Sequence, residues 1–449
     1  MRALDPDRLR RTVAAELAAF EKNTPRSAAL LQRGRLSMIK GVPMSWMWGL
    51  YRHPPIFVER GAGAAFHDVD GRRYLDFNVV DLAMTMGFGA GPIADAVTEA
   101  MQRGAHFLLP IEAAIDVCES LAERTGMPFW QFTLSASGAN TEVIRIARAL
   151  TGREKIVVFD GHYHGHLDET LVEESGGSVR AAMQGLPFRA GAQTLVLPFN
   201  DLGGVEGVLR GNEIALVLTE PALTNCTLVR ADPGYLQGLY SLCHRYGALL
   251  CLDEAHTFQF AYGGLAGDWE LPSDFIVLGK GLGTGVSFGL YGMSAPVAEQ
   301  VDARTQLDFG APGIAAGGTT YGSTIAILAA QAALQKVLTP GNYERVRALG
   351  ERLATGLQGL FDELELSWTA LHLGPRSGYC LFPQAPRTGR EAVRSIDMDF
   401  IAARRLWMAN RGIWDAMASS GPQVSFRHSP ADVAAYLQVA RSFLEAVVA

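Results

Sequence analysis

Four short, almost wholly apolar runs constrain this chain more than any other feature: 155–159 (KIVVF), 215–219 (ALVLT), 248–252 (ALLCL) and 275–278 (FIVL). A strand that is apolar on both alternating faces must be covered on both sides. Helix-like stretches at 93–103, 141–150 and 236–246 supply the cover. Together they predict an α/β fold class, with a mostly parallel sheet flanked by helices. We place the large domain at 65–335, after an N-terminal helix and segment, 1–64, and before a C-terminal lobe, 336–449. In that lobe a long charged helix over 343–364, short strands and a closing helix from Pro430 give an α+β character, to which both termini contribute. Residues 66–77 (FHDVDGRRYLDF) read as a hairpin around Asp70-Gly71. No internal repeat is visible.

Composition narrows the function classes. With 449 residues, 48% of them hydrophobic, the chain can bury a large core. A formal charge of −7 without blocks of like charge argues against a nucleic-acid partner. The opening MRALDPDRLRRTVAAELAAF mixes acids with bases and reads as an amphipathic helix rather than a signal peptide. No run approaches the ~18 apolar residues of a membrane span. Five cysteines lack CxxC spacing, and reduced, mostly buried thiols are the expectation. A cytoplasmic location follows.

Three of the strands end in polar residues: Glu220, Asp253-Glu254 and Lys280. Ligands of open parallel sheets sit at the carboxyl ends of strands, so these residues would converge on one crevice. A carboxylate at Asp253 must be paired or functional, because burying it alone is costly. A pyridinium nitrogen would pair with it; a capped helix is the plainer alternative. Lys280, between FIVLG and GLGTG, is either a surface lysine in a loop or a desolvated amine able to attack aldehydes. A phosphate-loop pattern fails, since Asp274 and Gly281 occupy positions that need Gly and Ser or Thr. Ser135-Ala136-Ser137-Gly138 opens a helix near Asn140, as an anion site or an ordinary Ser cap. His162, His164 and His166 alternate like a metal stripe, but flanking glycines favour a loop and no further ligand cluster completes a zinc site. We expect no metal. Tyr163, between them, has a ring suited to stacking on a flat cofactor.

Five motifs in order, FTLSASGANTEVIRIARALTGREKIVVFDGHYHGH, EPALTN, YGALLCLDEAHT, LGKGLGTGVSFGLYG and GGTTYGS, resemble the class III (subgroup II) aminotransferases. The branch most similar holds glutamate-1-semialdehyde aminomutase and β-amino acid aminotransferases, and the resemblance spans about 57–339. It implies fold type I, like aspartate aminotransferase, and a pyridoxal 5'-phosphate (PLP) Schiff base on Lys280. Asp253 would pair with the pyridine nitrogen, Tyr163 would stack on the ring, and Glu220 would order the site. Ser135, Ala136 and Ser137 would hold the phosphate, Asn225 falls on the Asn of the EP motif, and His256 would lie near the phenolic oxygen. Thr319 would reach the phosphate of a second subunit, which implies a homodimer with the site at the interface.

Several positions depart from the family. SGT reads Ser135-Ala136-Ser137, where a main-chain contact survives only with negative φ at Ala136. Gly138 replaces a Glu and Ala255 a Val. The stretch matching GVNSPVR is GVPMSWM, 41–47, without Arg; Ser45 stands where the β-amino acid branch has Arg, and its second Arg aligns with Ala418. Trp46, Met47, Trp48, Met84, Met86, Phe88, Trp414 and Met417 either line an apolar substrate pocket or pack a core. Arg427 is the nearby cation. We therefore expect an aminotransferase acting on an amine, or a non-α amino acid, of apolar character together with a carbonyl acceptor. The alternatives are an aminomutase or racemase, with 173–187 as a lid hinged at Gly176-Gly177, and a non-catalytic PLP-fold binding protein.

Overall fold

A computed structural model of the protein describes residues 3–175, 177–187, 190–306, 313–417 and 421–449. They form two compact units. One comprises Met1–Ala90, Glu344–Ala385 and Val393–Ala449; the other comprises Gly91–Tyr343 and Pro386–Ala392.

The second unit is built on seven strands: β1 (Phe129–Thr133), β2 (Lys155–Phe159), β3 (Thr194–Leu197), β4 (Ile214–Thr219), β5 (Leu249–Asp253), β6 (Phe275–Leu278) and β7 (Gly289–Met293). Their spatial order is β1-β7-β6-β5-β4-β2-β3. The four apolar runs are neighbours in the middle of this sheet and pair in parallel, as their double-sided hydrophobicity requires. Strand β7 is antiparallel to both β6 and β1. The reason is connection length: only 279–288 separate β6 from β7, too short for the crossover a parallel return needs. Helix Ala136–Thr151 covers one face, burying Ala139, Val143, Ile146 and Ala147 at helical spacing against Ile156, Val158, Leu216, Leu218 and Val277. The expected lid, 173–187, contains a small hairpin, Val172–Ser175 with Ser178–Ala181; Gly176 lies outside the described residues.

In the first unit the hairpin forms as expected. Ala65–Asp68 pairs antiparallel with Arg73–Asp76, and Gly71 takes φ 84° in the turn. It belongs to a four-stranded sheet of its own, with Val58–Ala62 on one side and Ile413–Trp414, parallel, on the other. The amphipathic N-terminal stretch is helix Pro6–Asn23, capped by the Asp5 carboxylate. Its Phe20 packs with Phe66, Tyr74, Leu406, Ala409 and Trp414. The charged helix is Pro340–Glu363, and the closing helix, Pro430–Val447, starts with a reciprocal Ser429/Asp432 capping box. Among the described residues no helix is long and apolar enough to cross a membrane. Cys118, Cys243, Cys251 and Cys380 are thiols outside any disulfide, and burial raises the pKa of each.

A buried charge pair locks this unit. Arg404 Nε lies 2.6 Å from Asp415 Oδ2, both nearly inaccessible to water. The Tyr436 hydroxyl donates to Asp415 Oδ1 at 3.0 Å, and Arg404 donates to the Tyr379 hydroxyl at 2.6 Å. Asp415→Ala would strand the Arg404 charge, so we expect a loss of about 3–5 kcal/mol. Urea denaturation checks this, with Asp415→Asn expected to lose less.

Candidate active site

Strands β4, β5 and β6 are adjacent and parallel, so their carboxyl ends lie side by side. Glu220 follows β4, Asp253 is the last residue of β5, and Lys280 lies two residues beyond β6. The three positions therefore stand at neighbouring strand ends.

Asp253 is buried and both oxygens of its carboxylate accept hydrogen bonds. Oδ2 accepts hydrogen bonds from Asn140 Nδ2 and from the His164 ring, each at 2.8 Å, and Oδ1 accepts from Ala255 N at 3.0 Å. Burial pushes the carboxyl pKa up, but His164, Asn140 and the Ala255 N–H together outweigh it and hold it below the ordinary aspartate value. The carboxylate stays ionised although water is excluded. Glu254, beside it, is different. It accepts from Thr257 Oγ1, Leu265 N and Ala266 N, yet burial raises it to about 7, and it serves to tie the following loop together.

Lys280 has φ 45°, in the left-handed region that non-glycine residues rarely adopt. Such a conformation costs on the order of 1–3 kcal/mol and persists only where surroundings impose it. Gly279 lies close by: a Cβ there would lie 3.1 Å from Ala136 Cβ and Ala136 N, a tight approach, so this loop packs closely on the start of helix Ala136–Thr151. That helix begins as the sequence suggested. Ser135 is its N-cap and accepts from Gly138 N at 3.1 Å. Ala139 N makes the first intrahelical bond, to Ser135 O. The N–H groups of Ala136 and Ser137 are thus left without an intrahelical partner, the arrangement that suits an anion at a helix start. Ala136 is helical with negative φ, so the Gly-to-Ala departure leaves its N–H available.

Glu220 is linked to His256 through Thr224: its Oε2 accepts from Thr224 N at 3.1 Å and from Thr224 Oγ1, which also contacts His256 Nδ1. Asn225 Nδ2, in the same loop, is buried and makes no hydrogen bond. Tyr163 presents an exposed ring. The histidines do not form a stripe: His162 sits between the carbonyls of Phe159 and Thr170, while His164 turns to Asp253. Thr319 is exposed, and its carbonyl contacts His106 Nε2 at 2.7 Å.

The expected substrate residues lie in the first unit. Ser45, Trp46, Met47 and Arg427 are exposed and Met84 is half-buried, with the Arg427 stem lying over Gly87. Trp48 stacks under Arg35 and Lys40. Met86, Trp414 and Met417 are buried in packing, the plainer of the two readings; Ala418 lies outside the described residues. Sequence reading missed Asn140, His164 and Thr224 as partners of the acids. The available signal was a polar Asn on a helix face otherwise made of Ala139, Val143 and Ala147, because a buried amide needs a partner.

The profile described as Aminotransferase class-III matches residues 50–366. This chain belongs to the class III aminotransferase family. It is a PLP-dependent aminotransferase of fold type I. A curated relative named glutamate-1-semialdehyde 2,1-aminomutase, from Desulfitobacterium hafniense, is 31% identical over 403 residues, 88% of this chain and 91% of that one. Among solved structures, a glutamate-1-semialdehyde-aminomutase from Pseudomonas aeruginosa in complex with PMP superposes with a TM-score of 0.94 at 31% identity, covering 99% of both chains. A beta-phenylalanine aminotransferase from Variovorax paradoxus gives 0.85 at 28% identity, covering 97% of both.

The geometry of this aminotransferase makes a pH prediction. Removing the amide in Asn140→Ala takes away one donor that offsets burial, so the Asp253 pKa rises toward its ordinary value. The acid limb of the kcat/KM profile should then move to higher pH, and an unmoved limb would show that Asn140 does not hold Asp253 ionised.

Proposed function

We propose that Lys280 is the residue that carries PLP, and that the amino donor is an amine or non-α amino acid of apolar character. The observation that supports this most is the adjacency of Glu220, Asp253 and Lys280 at three parallel strand ends, with Asp253 held ionised. Bound PLP supplies an aldehyde that takes up amines and a protonated ring that draws electrons from the carbon bearing the amino group. The residues fit that group. The Asp253 carboxylate is suited to keep the ring nitrogen protonated, and the free N–H groups of Ala136 and Ser137 are suited to the phosphate. Asn225 Nδ2, a buried donor without a partner, and His256, steadied by Thr224, suit the phenolic oxygen. The Lys280 amine, when free, would be the base and acid that moves a proton at the carbon bearing the amino group.

The substrate reading rests on 41–47, which lacks Arg, and on the exposed side chains of Trp46 and Met47. Bidentate Arg is the usual clamp for a carboxylate, and Trp or Met cannot replace it. A second reading, an aminomutase, is favoured by the names of the relatives at 31% identity. Homodimerisation is supported by apolar side chains that the second unit exposes, among them Leu108, Leu109, Ile115 and Phe129, and by the exposure of Thr319. We place the protein in the cytosol, where its thiols stay reduced.

The purified protein should absorb near ~420 nm with PLP, and Lys280→Ala should lose that band and all turnover. Incubation with aryl amines, β-amino acids, amino sugars and ordinary amino acids separates the remaining readings. Stoichiometric pyridoxamine phosphate with an apolar amine supports transamination. Fast turnover of a small dicarboxylic amino acid instead, unaffected by Arg427→Ala, would sink the substrate proposal. Mixing Thr319→Ala with Lys280→Ala subunits should restore part of the activity if each site draws on both chains.

A further inference from the structure

In chain order, Pro386–Ala392 lies between Glu344–Ala385 and Val393–Ala449, yet it packs with the second unit. Its attachments converge on one place. Gly389 is buried, and a Cβ there would lie 2.1 Å from Asp160 O, 2.5 Å from Asp160 C and 2.7 Å from Gly161 Cα. Gly161 meets it in kind: with φ 80°, its own Cβ would come within 2.8 Å of Gly389 Cα and 2.7 Å of Cys226 Sγ. Two glycine backbones are therefore in direct contact, with the Cys226 side chain packed against the same spot. The Asp160 carboxylate fastens the contact, accepting from Arg390 N at 2.7 Å through Oδ2 and from Phe199 N at 3.1 Å through Oδ1. Further out, Asn200 Nδ2 donates to Arg387 O at 2.9 Å, Arg387 pairs with Asp232, and Arg390 pairs with Glu174.

The loop of Tyr163 and His164 begins directly after Asp160-Gly161. Its far end is fixed by His166 N donating to Ser137 Oγ at 3.1 Å, and its middle by Asn140 Nδ2 donating to His164 O at 2.9 Å. His164 in turn donates to Asp253. A short loop held at its far end and middle has its geometry set by where its near end is pinned. That near end is held by Asp160 N donating to Leu197 O at 2.9 Å, by the His162 ring between the Phe159 and Thr170 carbonyls, and by the Gly389 contact, the one of the three that comes from outside the local sheet and loop.

We propose that Pro386–Ala392 is a positioning strap for the cofactor site, with Gly389 as the positioning residue: it seats the Asp160–Gly161 peptide and so sets the loop from which His164 reaches Asp253 and Tyr163 faces the ring. The proposal rests on the reading of Asp253 and Tyr163 as cofactor residues. Its action is indirect, and Gly389 touches neither substrate nor cofactor. A methyl group at position 389 meets the backbone carbonyl of Asp160, a clash that no side-chain rotation relieves. The loop must move, and a hydrogen bond loses strength quickly as its length and angle depart from the optimum.

The test uses the PLP-loaded full-length protein and the variants Gly389→Ala, Asp160→Asn and Arg390→Ala. Asp160→Asn leaves one acceptor oxygen for two N–H donors, so it loosens the strap without a clash and decides the matter if Gly389→Ala does not fold. Arg390→Ala keeps the backbone N–H and removes only an exposed side chain paired with Glu174, so it should behave as wild type. The readouts are the pH titration of bound-cofactor absorbance, the PLP dissociation constant and kcat, each beside the thermal midpoint. Gly389→Ala and Asp160→Asn should shift the titration and weaken PLP binding, with kcat falling on the order of 10- to 100-fold, as a misplacement near 1 Å does. Folded variants with wild-type titration and PLP affinity would overturn the strap. A wild-type protein that takes up no PLP would instead overturn the cofactor reading, and the two failures are told apart by the unmutated protein alone.

Discussion

An ionised carboxylate buried where water cannot reach it is the constraint on which the second unit turns. Burial alone would push the Asp253 pKa up, and three donors reverse that shift. Each comes from a different element: Asn140 from the helix that covers the sheet, His164 from the loop after β2, and the Ala255 N–H from the chain just past β5. Keeping one charge thus fixes three pieces of backbone relative to one another. The same helix whose fifth residue holds Asp253 also carries, at its start, N–H groups without an intrahelical partner, so the buried acid and these amides are set by one rigid body.

Strain is located where chemistry is expected. Lys280 is left-handed, and the loop that carries it is pressed against Ala136 through Gly279. Close backbone approach recurs at Gly161 and Gly389, again beside a loop that bears site residues. Small residues here exchange side-chain packing for positional definition, because two backbones in contact cannot slide as two side chains can. The first unit uses a different device for rigidity. Its buried pair of Arg404 and Asp415 is joined by the hydroxyls of Tyr379 and Tyr436, whose hydrogen bonds offset part of the cost of burying both charges.

Much was legible from sequence because it depends on local pattern. Double-sided apolar runs became the four central strands within one residue of their expected ends. The alternation at 66–77 became the hairpin, and Ser135 became an N-cap. The family motifs carried Lys280 and Asp253, and the chain is a member of that family. Pairing lay beyond reach. The hairpin joins Ile413–Trp414, more than three hundred residues away in the chain, and no local pattern records that. The antiparallel course of β7 follows from the shortness of 279–288, which periodicity does not weigh.

The chemistry-bearing residue types, their order and their strand-end positions were determined by the sequence itself, since hydrophobic period and turn chemistry are properties of neighbours along the chain. Only the tertiary structure decided which groups serve those residues. Asn140 and His164 serve Asp253, Thr224 joins Glu220 to His256, and Gly389 rests on Gly161. The physical reason is the same throughout. A buried polar group or a tight backbone contact is satisfied by whatever the fold brings within a few ångströms, and distance in space is not written in distance along the sequence.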